Sequence, residues 1–169
     1  MKKALIIIDM QNDFITGSLA NPAAEAIVEQ IVEKIKSFDG DVIATRDSHT
    51  ESYLQSAEGQ KLPVKHCVEY TDGWKIHPSI MDAMIQKRNC RIINKPTFGF
   101  IGGWELYTYD SIEIVGTCTD ICVISNALIL KAMYSEKKIV VIEGLCAGVT
   151  KENHDAAIKV MKSCQIDIE

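Results

Sequence analysis

The chain has 169 residues, a length suited to a single domain, 1–169, with a sizeable buried core. Hydrophobic residues make up 47% and charged residues 24%, and the formal net charge is −5, so neither nucleic acid nor an anionic membrane surface is expected as a partner. The longest apolar runs, such as 121–130, are too short and too interrupted to span a bilayer. The apolar stretch 4–8 ends in Asp9 with no small-residue cleavage site after it, which leads us to expect a cytoplasmic protein.

Short β-branched runs alternate with helical stretches. Residues 3–8 read as a buried strand, followed by a helix over 22–37 with apolar residues at 23, 27, 31 and 35, Asn21 as cap and Pro22 in the first turn. A second strand is expected at 41–45, then a largely irregular segment over 46–80 with a short helix after Pro78. Strands at 91–94 and 112–116 come next, then a helix over 120–134, a strand at 139–143, a helix over 151–163 and a short sixth strand at 166–168. Thr150 is a capping candidate for the last helix, although Asn153 does not complete a capping box. This order predicts an α/β fold of three layers, α/β/α, around a mostly parallel sheet of about six strands. Ligands of such sheets bind at the carboxyl ends of the strands. The residues just past those ends are Asp9, 46–49, Lys95, 117–122 and Glu143-Gly144.

Cysteines at 67, 90, 118, 122, 146 and 164 are scattered rather than arranged as a disulfide framework or a zinc ribbon, and all six are expected to be thiols. Asp9-Met10-Gln11-Asn12-Asp13-Phe14 offers either a general base with a loop-fixing acid or an ordinary Asx-type turn. Lys95 is either a functional cation or a solvated lysine. Gly116-Thr117-Cys118-Thr119-Asp120-Ile121-Cys122 turns from strand into helix. There the positive end of the helix dipole is expected to lower a thiol pKa, and unpaired backbone N–H groups can serve an oxyanion. The competing reading is two small buried core residues. Asp47-Ser48-His49, with His66 seventeen residues later, can bind a divalent cation such as Zn, Fe or Mn, or can be ordinary loop residues.

Taken together, D-x-Q-x-D-F at 9–14, Lys95 and G-x-x-T-D-x-C-V at 116–123 resemble the isochorismatase-like cysteine hydrolases, particularly the nicotinamidases. The resemblance implies a triad of Asp9, Lys95 and nucleophile Cys122, an oxyanion hole at Cys118 and Cys122, and a cis peptide at Thr117–Cys118. It also implies metal ligands at Asp47, His49 and His66, with Glu58 as a further ligand and zinc as the first expectation. Two departures are visible: Leu62 and Ile121 stand where aromatic or polar side chains often line the substrate site, which leaves Phe14 as the ring-stacking candidate. Phe98, Phe100 and Trp104 are assigned to core packing, and His77 and His154 to structural or solvated positions. The implied activity is metal-dependent hydrolysis of a small carboxamide through a thioester, first of all nicotinamide to nicotinate and ammonia. Another small amide, ureido or N-carbamoyl compound, or a non-catalytic ligand-binding role, are the alternatives. A small-molecule amide and a second copy of the chain in a homo-oligomer are the expected partners.

Overall fold

The computed structural model describes residues 1–169, and its core is a parallel sheet whose central strands are buried on both faces. The strands are β1 (Lys3–Ile8), β2 (Asp41–Asp47), β3 (Cys90–Lys95), β4 (Ser111–Thr117), β5 (Lys138–Ala147) and β6 (Asp167–Ile168). They lie in the order β3-β2-β1-β4-β5-β6, every neighbouring pair parallel. The helices are α1 (Asn12–Ile15), α2 (Pro22–Ala26), α3 (Val28–Ser37), α4 (Ala57–Lys61), α5 (Pro78–Ile85), α6 (Ile124–Met133) and α7 (Lys151–Ser163).

Alternation along β1 explains the three layers. Ala4, Ile6 and Ile8 point into a core shared with Ala127 and Leu130 of α6 and Ile158 and Met161 of α7. Leu5 and Ile7 point the other way, toward Ile31 and Ile35 of α3 and Ile80 and Met84 of α5. Each such side chain contributes roughly 1.5–3 kcal/mol on burial, so a strand apolar on both faces is stable only between two helical layers.

Several expectations need correcting. The 22–37 helix is two pieces joined at Ile27, and its buried face begins at Ala24, with Ala23 exposed. The 46–80 segment holds α4 and a 3₁₀ turn at Tyr53–Gln55. Glu143-Gly144 is not past a strand end: β5 runs on to Ala147, because its ladder with β4 jumps from Ile114–Val141 to Gly116–Cys146. The helix expected from 120 starts as a π-helical turn, Thr119–Val123. The caps match expectation: Asn21 accepts from the Ala23 N–H at 2.9 Å, and Thr150 accepts from the Asn153 N–H at 3.1 Å. All six cysteines are free. No helix is long and apolar enough to cross a membrane.

The chain runs outward from β1 to β3, then returns to lay β4 on the other side of β1. A crevice opens at such a reversal, outside the carboxyl ends of the strands. Asp9 follows β1, Asp47 ends β2, Lys95 ends β3, and Thr117 ends β4 just before Cys118.

Candidate active site

Asp9 leaves β1 in the left-handed region, φ 48°. Its backbone N–H donates to Thr45 Oγ1 at 3.1 Å, and the Thr45 hydroxyl donates to Asp9 Oδ1 at 2.6 Å. Asp9 Oδ2 lies 2.6 Å from Lys95 Nζ, and that ammonium lies 3.5 Å from Cys122 Sγ. Asp9 and Lys95 are fully buried and Cys122 nearly so. The three residues expected to form a triad therefore meet in a dry pocket. Thr45 is a fourth member that the sequence did not flag; its place two residues before Asp47, on the same face of β2, was the available signal.

Burial decides the protonation pattern. It pushes the Asp9 carboxyl above the ordinary carboxylate range, against the pull of Lys95. Burial opposes the Lys95 charge, but the Asp9 carboxylate outweighs it and holds the ammonium above its usual value. Burial and the Asp9 charge raise the Cys122 thiol well above an ordinary cysteine. This reverses the expectation of a thiolate at the helix start: dry surroundings and a neighbouring anion outweigh the backbone dipole. The resting arrangement is a thiol beside an ion pair whose carboxylate, Asp9, has a raised proton affinity.

The nucleophile turn is fastened from several sides. Thr117–Cys118 is cis, as the resemblance implied, and Gly116 has φ 120°. A Cβ at Gly116 would stand 2.2 Å from the Ile8 carbonyl oxygen, so only glycine lets β4 approach β1 there. The Cys118 carbonyl accepts from the N–H groups of Ile121 and Val123, both at 3.0 Å, whereas the Cys118 N–H donates to no group of the chain. The Asn126 amide donates to the Cys122 carbonyl at 2.7 Å. Asn126 escaped the sequence reading, although its position four after Cys122 puts it one turn on along the helix. Thr119 Oγ1 lies 2.8 Å from Nδ1 of His154, which is buried rather than solvated and faces Glu143 at 3.9 Å.

Asp47, His49, Glu58 and His66 converge at the rim, their ligand atoms all within 4.8 Å of one another. Asp47 Oδ2 is 2.9 Å from His49 Nε2 and 3.5 Å from His66 Nε2, and Glu58 Oε1 is 3.7 Å from each imidazole. Ligands about 2.0–2.1 Å from one zinc-sized ion stand roughly 3.3 Å apart in a tetrahedron, so the set fits a divalent cation. Glu58 stands within the same 4.8 Å group as the other three. His66 Nδ1 lies 2.8 Å from the Val64 carbonyl, which turns Nε2 toward Asp47 and Glu58. Hydrogen bonds from both imidazoles outweigh burial and hold Asp47 below the usual carboxylate range.

The other residues of the first motif now have tasks in this chain. The Gln11 amide donates to the carbonyls of Asp47 and Trp74, both at 2.9 Å, and accepts from the Asp47 N–H at 2.7 Å. Asp13 accepts from the N–H groups of Cys67 at 2.7 Å and Ser18 at 3.1 Å, tying the His66 loop to α1. Tyr53, also missed, packs its ring 4.6 Å from His49 and 4.8 Å from His66.

A cavity of about 990 Å³ joins the two groups, lined among others by Phe14, Asp47, Glu58, Leu62, His66, Cys118, Ile121 and Cys122. The three side chains expected to face a substrate, Phe14, Leu62 and Ile121, all do line it. Phe98 lines it too and is 44% exposed, so its assignment to the core is corrected; Trp104 is fully buried, and Phe100 packs against the core.

Comparison with known proteins agrees with this geometry. The sequence profile of the Isochorismatase domain matches residues 3–168. A nicotinamidase/pyrazinamidase of Mycobacterium tuberculosis is 28% identical over 187 residues, covering 98% of this chain and 97% of its own. The crystal structure of a nicotinamidase/pyrazinamidase from Bacillus subtilis superposes with a TM-score of 0.86 at 25% identity, over 99% of each chain. A pyrazinamidase of Pyrococcus horikoshii in complex with zinc superposes with a TM-score of 0.83 at 26% identity, over 100% of this chain and 99% of its own. The chain belongs to the isochorismatase family and stands close to its nicotinamidases.

Proposed function

We propose that the protein is a metal-dependent cysteine amidohydrolase, acting on a non-peptide C–N bond, that converts nicotinamide to nicotinate and ammonia. The observation that carries this reading is the buried chain of contacts from Asp9 through Lys95 to Cys122, opening into one cavity with a four-residue cation site. The relatives named as nicotinamidases and the zinc complex of the Pyrococcus horikoshii protein support the substrate and the metal.

Cys122 transfers its thiol proton to the Asp9 carboxylate as its sulfur attacks the amide carbonyl. The free Cys118 N–H, together with that of Cys122, receives the oxyanion. As the C–N bond breaks, Asp9 returns the proton to nitrogen and ammonia leaves, with the acyl group held as a thioester. Asp9 then takes a proton from water, hydroxide attacks the thioester, and the proton goes back to sulfur as nicotinate departs. Lys95 keeps a positive charge against Asp9 throughout. A divalent cation held by Asp47, His49, Glu58 and His66 would bind the pyridine nitrogen and fix the amide over Cys122. Phe14 offers its face to the ring.

The test compares nicotinamide with benzamide, which has ring and amide but no ring nitrogen. Nicotinamide should be favoured strongly, the preference should shrink in His66→Ala, and Cys122→Ala should lose all turnover while its far-UV CD is unchanged. Full activity in Cys122→Ala would sink the mechanism. Turnover of a ureido or other non-aromatic amide alone would leave the class standing and remove nicotinamide.

A further inference from the structure

The cavity is larger than a single-ring amide needs. Binding sites that enclose drug-sized ligands run from about 300 to 1,000 Å³, and this one, at about 990 Å³, lies at the top of that range. Its inner end holds the cation site and Cys122. Its outer end is apolar, built from Leu19, Leu62, Phe98 and Val149.

Leu62 is 40% exposed, Phe98 44% and Val149 54%. Single exposed apolar side chains are ordinary, but three gathered around one opening mark a surface made to be covered. They come from three separate segments: the end of α4, the loop after β3 and the loop before α7. The outer end offers one cation, Lys61, and its ammonium is paired with no carboxylate. One cation does not make a site for a phosphate or a polyanionic group.

We infer that the preferred substrate is an aromatic carboxamide whose ring carries an apolar substituent, the amide and ring held at the inner end and the substituent against Leu62, Phe98 and Val149. This rests on the amidase reading above and deepens it. The continuity of the outer end with the site that holds Cys122 argues for a substrate group there rather than a separate ligand. The small or aliphatic residues at positions 62 and 121 are then no defect of the site: a bulkier ring at position 62 would stand where the substituent lies.

The experiment measures kcat/KM of the metal-loaded enzyme on nicotinamide, 5-phenylnicotinamide, 6-phenylnicotinamide and nicotinamide mononucleotide. At least one phenyl compound should exceed nicotinamide by about tenfold or more, the scale that apolar complementarity supplies in a hydrophobic pocket. Val149→Trp should bring that ratio down toward one. If nicotinamide is hydrolysed as well as or better than both phenyl compounds, the inference fails and the amidase reading stands. Preference for the mononucleotide overturns it too, since the substituent would then be polar and charged. If the chain forms a dimer that Val149→Asp dissociates without changing the substrate ratio, a second copy covers this face and the inference is overturned. Hydrolysis of none of the four removes nicotinamide as the substrate, and this inference with it.

Discussion

Lys95 has its ammonium between two carboxylates and a thiol, in a place water does not reach: Asp9 lies at 2.6 Å, Cys122 Sγ at 3.5 Å and Asp47 Oδ1 at 3.7 Å. Removing one member of a buried ion pair strands the other charge, at about 3–5 kcal/mol. Lys95→Met should therefore lower stability by about that amount in urea unfolding, and it should leave the Asp9 carboxyl higher still. Asp9 must be ionised to take the Cys122 proton, so activity is present above its folded pKa and is lost as the pH falls through it. The acid limb of kcat/KM should lie above the ordinary carboxylate range in the parent protein and move to higher pH in Lys95→Met. A limb near 4 in both proteins would remove Asp9 as the base. The sequence pointed to these side chains by their places at strand ends, but not to their protonation. A thiol at a helix start reads as acidic only when its surroundings are wet, and burial is a property of the whole fold.

The nucleophile turn depends on elements that lie far from it in sequence. His154, on α7, reaches Thr119 across the layer boundary, and Thr119 is the first residue of the π-helical turn carrying Cys122. His154→Ala would leave the buried Thr119 hydroxyl without its partner, at about 1–3 kcal/mol. The turn then loses a fastening close to the oxyanion position. We expect kcat on nicotinamide to fall about tenfold with KM little changed. A lowered melting temperature with kcat intact would make His154 structural only. The sequence reading left this residue as structural or solvated, because a histidine on a polar helical stretch shows no partner; only the packing of α7 against the sheet buries it. Element boundaries failed for comparable reasons. The expectation for β5 stopped at 143 because the extra residues between Val141 and Cys146 break the apolar run, and the ladder resumes beyond them.

At the scale of the whole molecule, the strand–helix alternation was enough to read the three layers and the parallel sheet, because strands apolar on both faces admit few other solutions. It did not foretell how closely Glu58 would approach Asp47, His49 and His66, since that depends on where α4 settles. The cation should act on the entire fold, because binding to the folded state alone stabilises it by about 2.7 kcal/mol at a hundred times the Kd. For a chain of this size that is about 5–10 °C in melting temperature. Stripping the protein with chelator and restoring zinc should move the melting temperature by this amount. In His49→Ala/His66→Ala the shift should vanish and the metal content by elemental analysis should drop; equal metal in both proteins would mean the ligands are misassigned.

Asp9 and Cys122 are far apart in the chain, yet both follow the ends of adjoining strands, β1 and β4, which are joined by the unbroken ladder from Lys3–Ser111 to Ile8–Gly116. Their separation is thus set by the central sheet and by the one π-helical turn, Thr119–Val123, that follows β4. The candidate cation end is different: His49, Glu58 and His66 lie on the stretch between β2 and α5, outside the sheet ladder, held by local contacts such as the His49 N–H to the Cys67 carbonyl and Asp13 to the Cys67 N–H. The crevice accordingly has one wall built on the sheet and one built on loop and short helix. Bond making belongs to the first and the outline of the site to the second, so a change of diet along this lineage could proceed by reshaping residues 49–66 with the reacting atoms left where they are.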